Sequence, residues 1–359
     1  MAKKKKAWKS ESLNSAQKSS ADKIRIVLCE FAKGRHPAIE DPEKSFDILA
    51  KEFEKICALS SEKEILELLA WFLNTDALLE NVEEDTELGE AFEDLYADAN
   101  AFFGEKAKNF EDRAYVIDLL HDLVVNTVGE DARSELFLSA KDFLDNSEIH
   151  RLVDDVLASL DGNSLENEEQ IYAALQDLAD GAGDAELYER LSFLRDPDRS
   201  TATLISVANA YYVAGDIKDA ERLLKEVKDP ATPEEEEEFL DLQTGLLFKK
   251  GDKKAALEMA EKLYEKFPKE YHLMCLCTVA TKKRKEELLD AHERFRLSVY
   301  VSPDYVNMLI TMGEFDRLSA YLTRYKAEIH LLDKEVRKTL AERLDALGKK
   351  NLSLLLKKD

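Results

Sequence analysis

Thr203-Leu204-Ile205-Ser206-Val207-Ala208-Asn209-Ala210-Tyr211-Tyr212 leads into a turn at Gly215-Asp216 and returns through Ala220-Glu221-Arg222-Leu223-Leu224. The next stretch repeats the pattern: Phe239-Leu240-Asp241-Leu242 to Leu247-Phe248, a turn at Gly251-Asp252, then Ala255-Ala256-Leu257 to Leu263. Gly215 and Gly251 lie 36 residues apart, and so do Ala220 and Ala256. A glycine just past a helix takes the left-handed conformation that closes it. A small alanine five residues later lets the return helix pack closely on the first. The stretch from Leu187 to Phe267 therefore predicts two consecutive helical hairpins, and the rest of the chain is organised around them.

Turns of glycine followed by an acid recur at Gly183-Asp184, Gly215-Asp216, Gly251-Asp252 and Gly313-Glu314, with spacings of 32, 36 and 62 residues. The last spacing is close to two periods. A ladder of two-helix units of this length predicts an all-α chain, an α-solenoid of antiparallel helix hairpins wound as a right-handed superhelix. Helix starts punctuate it at Asp196-Pro197-Asp198, Thr232-Pro233-Glu234-Glu235 and Ser302-Pro303-Asp304. Thr232 with Glu235 has the spacing of a capping box.

Composition points the same way. Of 359 residues, 35% are charged and only 12 are Gly and 7 Pro, so few residues break a helix. Cys29, Cys57, Cys275 and Cys277 form no disulfide-like framework, which fits a reducing compartment. There is no run of about 18 apolar residues and no apolar core of a signal peptide, so no membrane span is expected and the cytoplasm is the expected location. Residues 1–23 hold seven Lys against Glu11 and Asp22, a balance of +5. With −24 overall, residues 24–359 carry −29. A body of that sign repels phosphate backbones and anionic lipid over roughly 8–10 Å at physiological salt.

Three regions follow. Residues 1–22 read as a disordered basic tail, and the functional alternative there is a weak electrostatic tether to nucleic acid or an acidic partner. Residues 24–160 read as an N-terminal helical region, with a strong start signal at Asp41-Pro42-Glu43, an acidic break from Asp76 to Asp85, and helices near Ala132 to Leu144 and Ser147 to Leu160. The loop Asp161-Gly162-Asn163-Ser164 separates these from residues 165–359, the helical repeats with closing C-terminal helices.

The units resemble tetratricopeptide repeats. With Gly215 as the turn glycine, Leu204, Val207, Ala208, Tyr211, Ala220 and Leu224 fall at the signature positions. Leu240, Leu247, Ala256, Ala260 and Pro268 do so in the second unit, while Thr244 replaces the small close-packing residue and the signature Trp is absent. The whole chain is also similar to a broad family of uncharacterised bacterial helical-repeat proteins, through Leu79-Glu80-Asn81-Val82-Glu83-Glu84-Asp85, Gly89-Glu90-Ala91-Phe92 and Ala132-Arg133-Ser134-Glu135-Leu136. Some members of that family occur with zinc-binding SWIM modules, and no Cys and His pattern of that kind is present here. The resemblance implies an architecture and no activity. The tetratricopeptide resemblance implies a concave groove lined by Ile205, Asn209, Tyr212 and Val213, then Asp241, Gly245, Phe248 and Lys249, then Asn307, Ile310 and Thr311. Asn209 and Asn307 match a position that often bonds a bound peptide's backbone. Ile205 stands where carboxylate-clamping members carry a Lys.

Other constellations carry blander readings. His272 with Cys275-Leu276-Cys277 suggests a metal, but the thiols at i and i+2 point about 200° apart on a helix, so core packing is expected. His121 between Asp118 and Asp122 has acid–base residue types, which any acidic amphipathic helix also contains. Glu234 to Glu238 suit the first turn of a helix. Lys282-Lys283-Arg284-Lys285 reads as a solvated turn, with phosphate binding as the alternative. No phosphate-cradling loop, His-Glu-x-x-His or nucleophile elbow is present.

The leading expectation is a non-enzymatic protein–protein interaction scaffold that binds a protein or peptide in the groove through Asn209, Tyr212, Val213, Phe248, Lys249 and Asn307. No catalytic residue, cofactor, metal or small-molecule substrate is assigned, and nucleic acid and membrane are disfavoured as partners. The alternatives are nucleic-acid association through the Lys tail and Lys282 to Lys285, and an enzyme using Glu83 and Glu84.

Overall fold

The computed structural model describes residues 19–83, 86–127, 132–160, 167–228, 230–295 and 301–357. Most of the Lys-rich tail, Glu84, Asp85, residues 128–131 and the expected loop at Asp161 to Ser164 lie outside the described residues. Among the described residues every regular element is helical, with 19 α-helices, three short 3-10 turns and no strand. The chain forms two compact units, Met1–Gly215 and Asp216–Asp359.

Unit 1 contains α1 (Ser20–Ala32), α2 (Pro42–Cys57), α3 (Glu62–Leu73), α4 (Glu87–Lys108), α5 (Arg113–Val125), α6 (Ser134–Leu138), α7 (Asn146–Leu160), α8 (Glu168–Ala182), α9 (Ala185–Arg195) and α10 (Thr201–Ala214). The region expected to be tail ends earlier than residue 22, because Ser19 and Asp22 form a reciprocal capping box that starts α1. Asp41 caps α2 through the Lys44 N–H, with Pro42 in the first turn, as the start signal predicts. The single helix expected near Ala132 to Leu144 is instead the short α6 followed by a 3-10 turn at Ala140–Asp142. One continuous apolar core runs from α1 to α9, and aromatic rings fill its centre: Phe72 lies 5.4 Å from Tyr96, and Phe46 meets Phe92 edge-on at 5.2 Å.

Unit 2 opens with α11 (Ile217–Glu226). It continues as helix pairs: α12 (Pro233–Lys250) with α13 (Lys253–Lys266), α14 (Glu270–Val279) with α15 (Lys282–Phe295), α16 (Pro303–Met312) with α17 (Phe315–Arg324), and α18 (Lys334–Ala346) with α19 (Lys350–Lys357). Members of a pair pack on each other, and α14, α16 and α18 pack in succession, as do α17 and α19. The second apolar core gathers Leu273, Leu276, Leu309, Leu318, Leu344 and Leu356 from these helices.

The turns explain the pairing. Gly251 closes α12 at φ 78°, a conformation that a β-carbon disfavours, and its N–H bonds back to the helix. Asp252 then caps α13 by accepting the Ala255 N–H at 3.1 Å. One dipeptide thus ends one helix and starts the next. Gly183-Asp184 and Gly215-Asp216 work the same way, whereas Glu314 after Gly313 makes no side-chain cap. The alanines five residues beyond, Ala220 and Ala256, are fully buried.

Two turns escaped the sequence ladder. Gly348, also left-handed at φ 73°, stands 35 residues beyond Gly313 but is followed by lysine. The missing turn inside the 62-residue gap is Ala280-Thr281, which carries no glycine. Thr232 caps α12 as expected, but the Glu235 carboxylate reaches the Ala231 N–H, one residue before the position that a capping box requires.

Candidate functional site

The six groove residues divide between the units. Asn209, Tyr212 and Val213 lie on the last turns of α10, with Asn209 exposed, Tyr212 half-buried and Val213 69% exposed. In unit 2, Phe248 is half-buried and Lys249 exposed at the end of α12, while Asn307 is exposed on α16. Tyr212 and Phe248 share a register, each three residues before its turn glycine. Ile205 and Ile310, expected on the same faces, are buried and serve the core. Asn307 is already engaged: its Oδ1 accepts from Arg343 of α18, whose other Nη donates to Thr311 Oγ1 at 3.1 Å.

A polar cleft of 530 Å³ opens in unit 1 between α8, α9 and α10. Gln176 Nε2 donates to Ser192 Oγ at 2.8 Å, and Tyr188 and Ser206 share a hydroxyl–hydroxyl bond of 2.8 Å. Arg195 donates to Glu169 at 2.7 Å and to Gln176 Oε1 at 3.0 Å. Ser192 is only 2% exposed, so a polar group sits deep in the wall. The sequence reading missed this cleft. Its residues come from three helices and show as scattered hydroxyls, one amide and charged side chains on otherwise amphipathic stretches.

Asp196, at the rim, accepts from the Ser200 N–H and the Thr203 hydroxyl, both at 2.7 Å. The Ser200 and Thr203 bonds hold its carboxyl at about 2. The folded value lies below the ordinary 3.8, so this contribution is fully present above that pH and is lost as pH falls through about 2. A carboxyl-carbon NMR titration should therefore place the Asp196 midpoint near 2. The Ser200 amide should lose protection over the same range. A midpoint near 4 would mean that the α10 start is not held this way.

The other titratable groups read as structural. His272 is buried, with Nε2 2.8 Å from Glu237 and Nδ1 4.0 Å from Asp241. Burial pushes the Asp241 carboxyl up against the pull of His272. It acts the same way on Glu237, but hydrogen bonds from Lys269 and His272 outweigh it and leave that carboxyl low. Cys277 is buried and its thiol is pushed up to about 11 by burial, which suppresses thiolate chemistry. His121 approaches Asp122 at 3.8 Å on a solvent-facing stretch. Among the described residues, no group of three or more His, Cys, Asp or Glu side chains is placed to hold a metal ion. No helix is long and apolar enough to cross a membrane, again among the described residues.

The basic run Lys282 to Lys285 is the first turn of α15 rather than a turn between helices, and Thr281 caps it through the Arg284 N–H. Cations at a helix start are unfavourable, and acids around them offset this. Arg284 pairs with Glu261 at 2.9 Å, Lys285 pairs with Glu314, and Lys283 lies 3.8 Å from Glu287. Glu83 is exposed, and its neighbour Glu84 falls outside the described residues. No protein-family model matches the chain, and no curated protein does.

Proposed function

We propose that this chain is a non-enzymatic, cytoplasmic interaction scaffold, a tetratricopeptide-like array of helix hairpins that holds a peptide or helix of another protein on the faces of its first helices. The observation that carries this reading is the shared register of Tyr212 and Phe248. Two repeats present an aromatic side chain three residues before the left-handed turn, neither fully buried, beside the exposed Val213 and Lys249. Aromatic groups at partly exposed, repeated positions suit partner anchoring, because they offer large contact area at little entropic cost. The ion pairs around Lys283, Arg284 and Lys285 take up charge that a phosphate backbone would need, which favours a protein partner over a nucleic acid.

The test replaces Asn209, Tyr212 and Phe248 together with Ala and compares affinity capture from native lysate by mass spectrometry. Partner capture should be lost while the circular dichroism spectrum stays that of the parent chain. Undiminished capture of the same proteins would overturn the assignment of these faces.

A further inference from the structure

We infer that Glu237, Asp241 and His272 form a proton-operated latch between α12 and α14, in which one proton taken up as pH falls bridges His272 Nδ1 and Asp241. Its ground is the side-chain geometry of unit 2, independent of the scaffold reading.

The hydrogen bonds fix what each atom can do. His272 is 3% exposed, and its Nε2 lies 2.8 Å from Glu237 Oε1. Lys269 also donates to Glu237, at 2.8 Å. Against the effect of burial, the bonds from Lys269 and His272 hold the Glu237 carboxyl below its ordinary value, so at neutral pH it only accepts. Nε2 therefore carries the ring proton, and in the neutral ring Nδ1 is a bare acceptor. That nitrogen is shut off from solvent and has no hydrogen-bond partner. The carboxylate in front of it, Asp241 Oδ1 at 4.0 Å, is a second acceptor. A buried acceptor left unmatched is costly, and one proton between the two atoms removes that cost. The Asp241 side chain is 38% exposed, which gives it room to approach by the roughly 1 Å that a hydrogen bond requires.

The surrounding charges act in the same sense. Burial pushes the Asp241 carboxyl above its ordinary 3.8, against the pull of His272. A carboxyl raised in the folded chain adds stability at low pH, and that stability is lost as pH rises through the folded value. On α14 itself, Tyr271 meets the His272 ring at 5.5 Å, and burial and then the Asp241 charge push the Cys275 thiol up. On the core side of α13, α15 and α16 the titratable groups are engaged with others. Tyr264 bonds His292 at 2.7 Å, His292 lies 3.5 Å from Glu270, and Tyr305 donates to Glu293 at 2.8 Å. Asp241 stands two turns before Phe248 on one face of α12, so proton uptake removes a negative charge from that face.

The experiment compares the full chain with Asp241→Asn and His272→Gln between about pH 8 and about pH 5, where imidazole charge ordinarily changes. Hydrogen exchange, corrected for its intrinsic pH dependence, is read at the amides of α12 and α14. Nitrogen NMR of histidine-labelled chain reads the ring atoms, with the His272 signals assigned by their loss in His272→Gln. In the parent, protection of α14 should rise as pH falls, by at most about tenfold per pH unit for one proton. Over the same range His272 Nδ1 should change from bare acceptor to N–H. In Asp241→Asn the amide is a permanent donor to Nδ1. Protection at neutral pH should then exceed the parent's by roughly two- to tenfold, the worth of one hydrogen bond, and stay flat. His272→Gln should lose most of the slope even where it lowers protection throughout. A slope unchanged in Asp241→Asn would overturn the latch, because the proton would then be bound elsewhere. A bare Nε2 at neutral pH would overturn it too, by reversing the donor at Glu237.

Discussion

Replacing Arg133 with Met should destabilise unit 1 by about 3–5 kcal/mol, the cost of breaking a buried ion pair from one side. Arg133 is 2% exposed and Asp76 1%, and the guanidinium meets the carboxylate through two bonds of 2.6 Å. A third N–H donates to the Leu123 carbonyl at 2.6 Å, tying the end of α5 to the residue that precedes α6. Burial pushes the Asp76 carboxyl up, and Arg133 works against that shift. Met removes the counter-charge and the two guanidinium bonds to Asp76, while the Leu123 carbonyl keeps the Thr127 hydroxyl at 3.0 Å. In thermal unfolding the loss corresponds to a drop of roughly 6–20 °C for a unit of this size. The double variant Arg133→Met, Asp76→Leu removes both charges and should recover much of the loss, since a paired apolar replacement is often neutral. If Arg133→Met alone unfolds within about 0.5 kcal/mol of the parent, an ordinary value for a surface change, the pair is not dry.

This pair also marks what the sequence could not disclose. Asp76 and Arg133 are separated by 57 residues, and Asp76 opens a stretch that reads as an acidic break. Nothing local to either residue signals a partner. The turns were legible for the opposite reason: Gly251-Asp252 writes both its backbone conformation and its capping side chain into two adjacent letters. Where the second letter changed, as at Gly348-Lys349, or where glycine was absent, as at Ala280-Thr281, the ladder lost a rung that the structure supplies. Asn209, Val213 and Lys249 are exposed, whereas Ile205 and Ile310, expected on the same faces, are buried, because the edge of a helical face borders the core. The bond at Asn307 was not legible either. Its partner, Arg343, stands 36 residues away in a helix that the sequence marked only as a closing cap.

Gly181→Ala should destabilise unit 1 through a direct clash of backbone with backbone. A β-carbon at Gly181, on α8, would stand 2.1 Å from the Leu138 carbonyl oxygen and 2.6 Å from its carbonyl carbon. Both are backbone atoms, so no side chain can swing aside, and α8 must move off the end of α6. Overpacking costs typically about 1–3 kcal/mol and occasionally more, and a contact of 2.1 Å to backbone places this change above the top of that range. Alanine's helix propensity returns only about 1 kcal/mol of that. Gly183→Ala, two residues on, is the informative control. There a β-carbon meets nothing within 4 Å, and the cost is that of the left-handed conformation at φ 68°, about 1–2 kcal/mol. Urea unfolding should rank Gly181→Ala below Gly183→Ala. Hydrogen exchange should rise around Leu136 to Ala140 only in the former, because only that variant forces α8 and α6 apart. Equal stability of the two, with no change in exchange near Leu138, would mean that the α8 backbone does not lie against α6 as closely as these distances require.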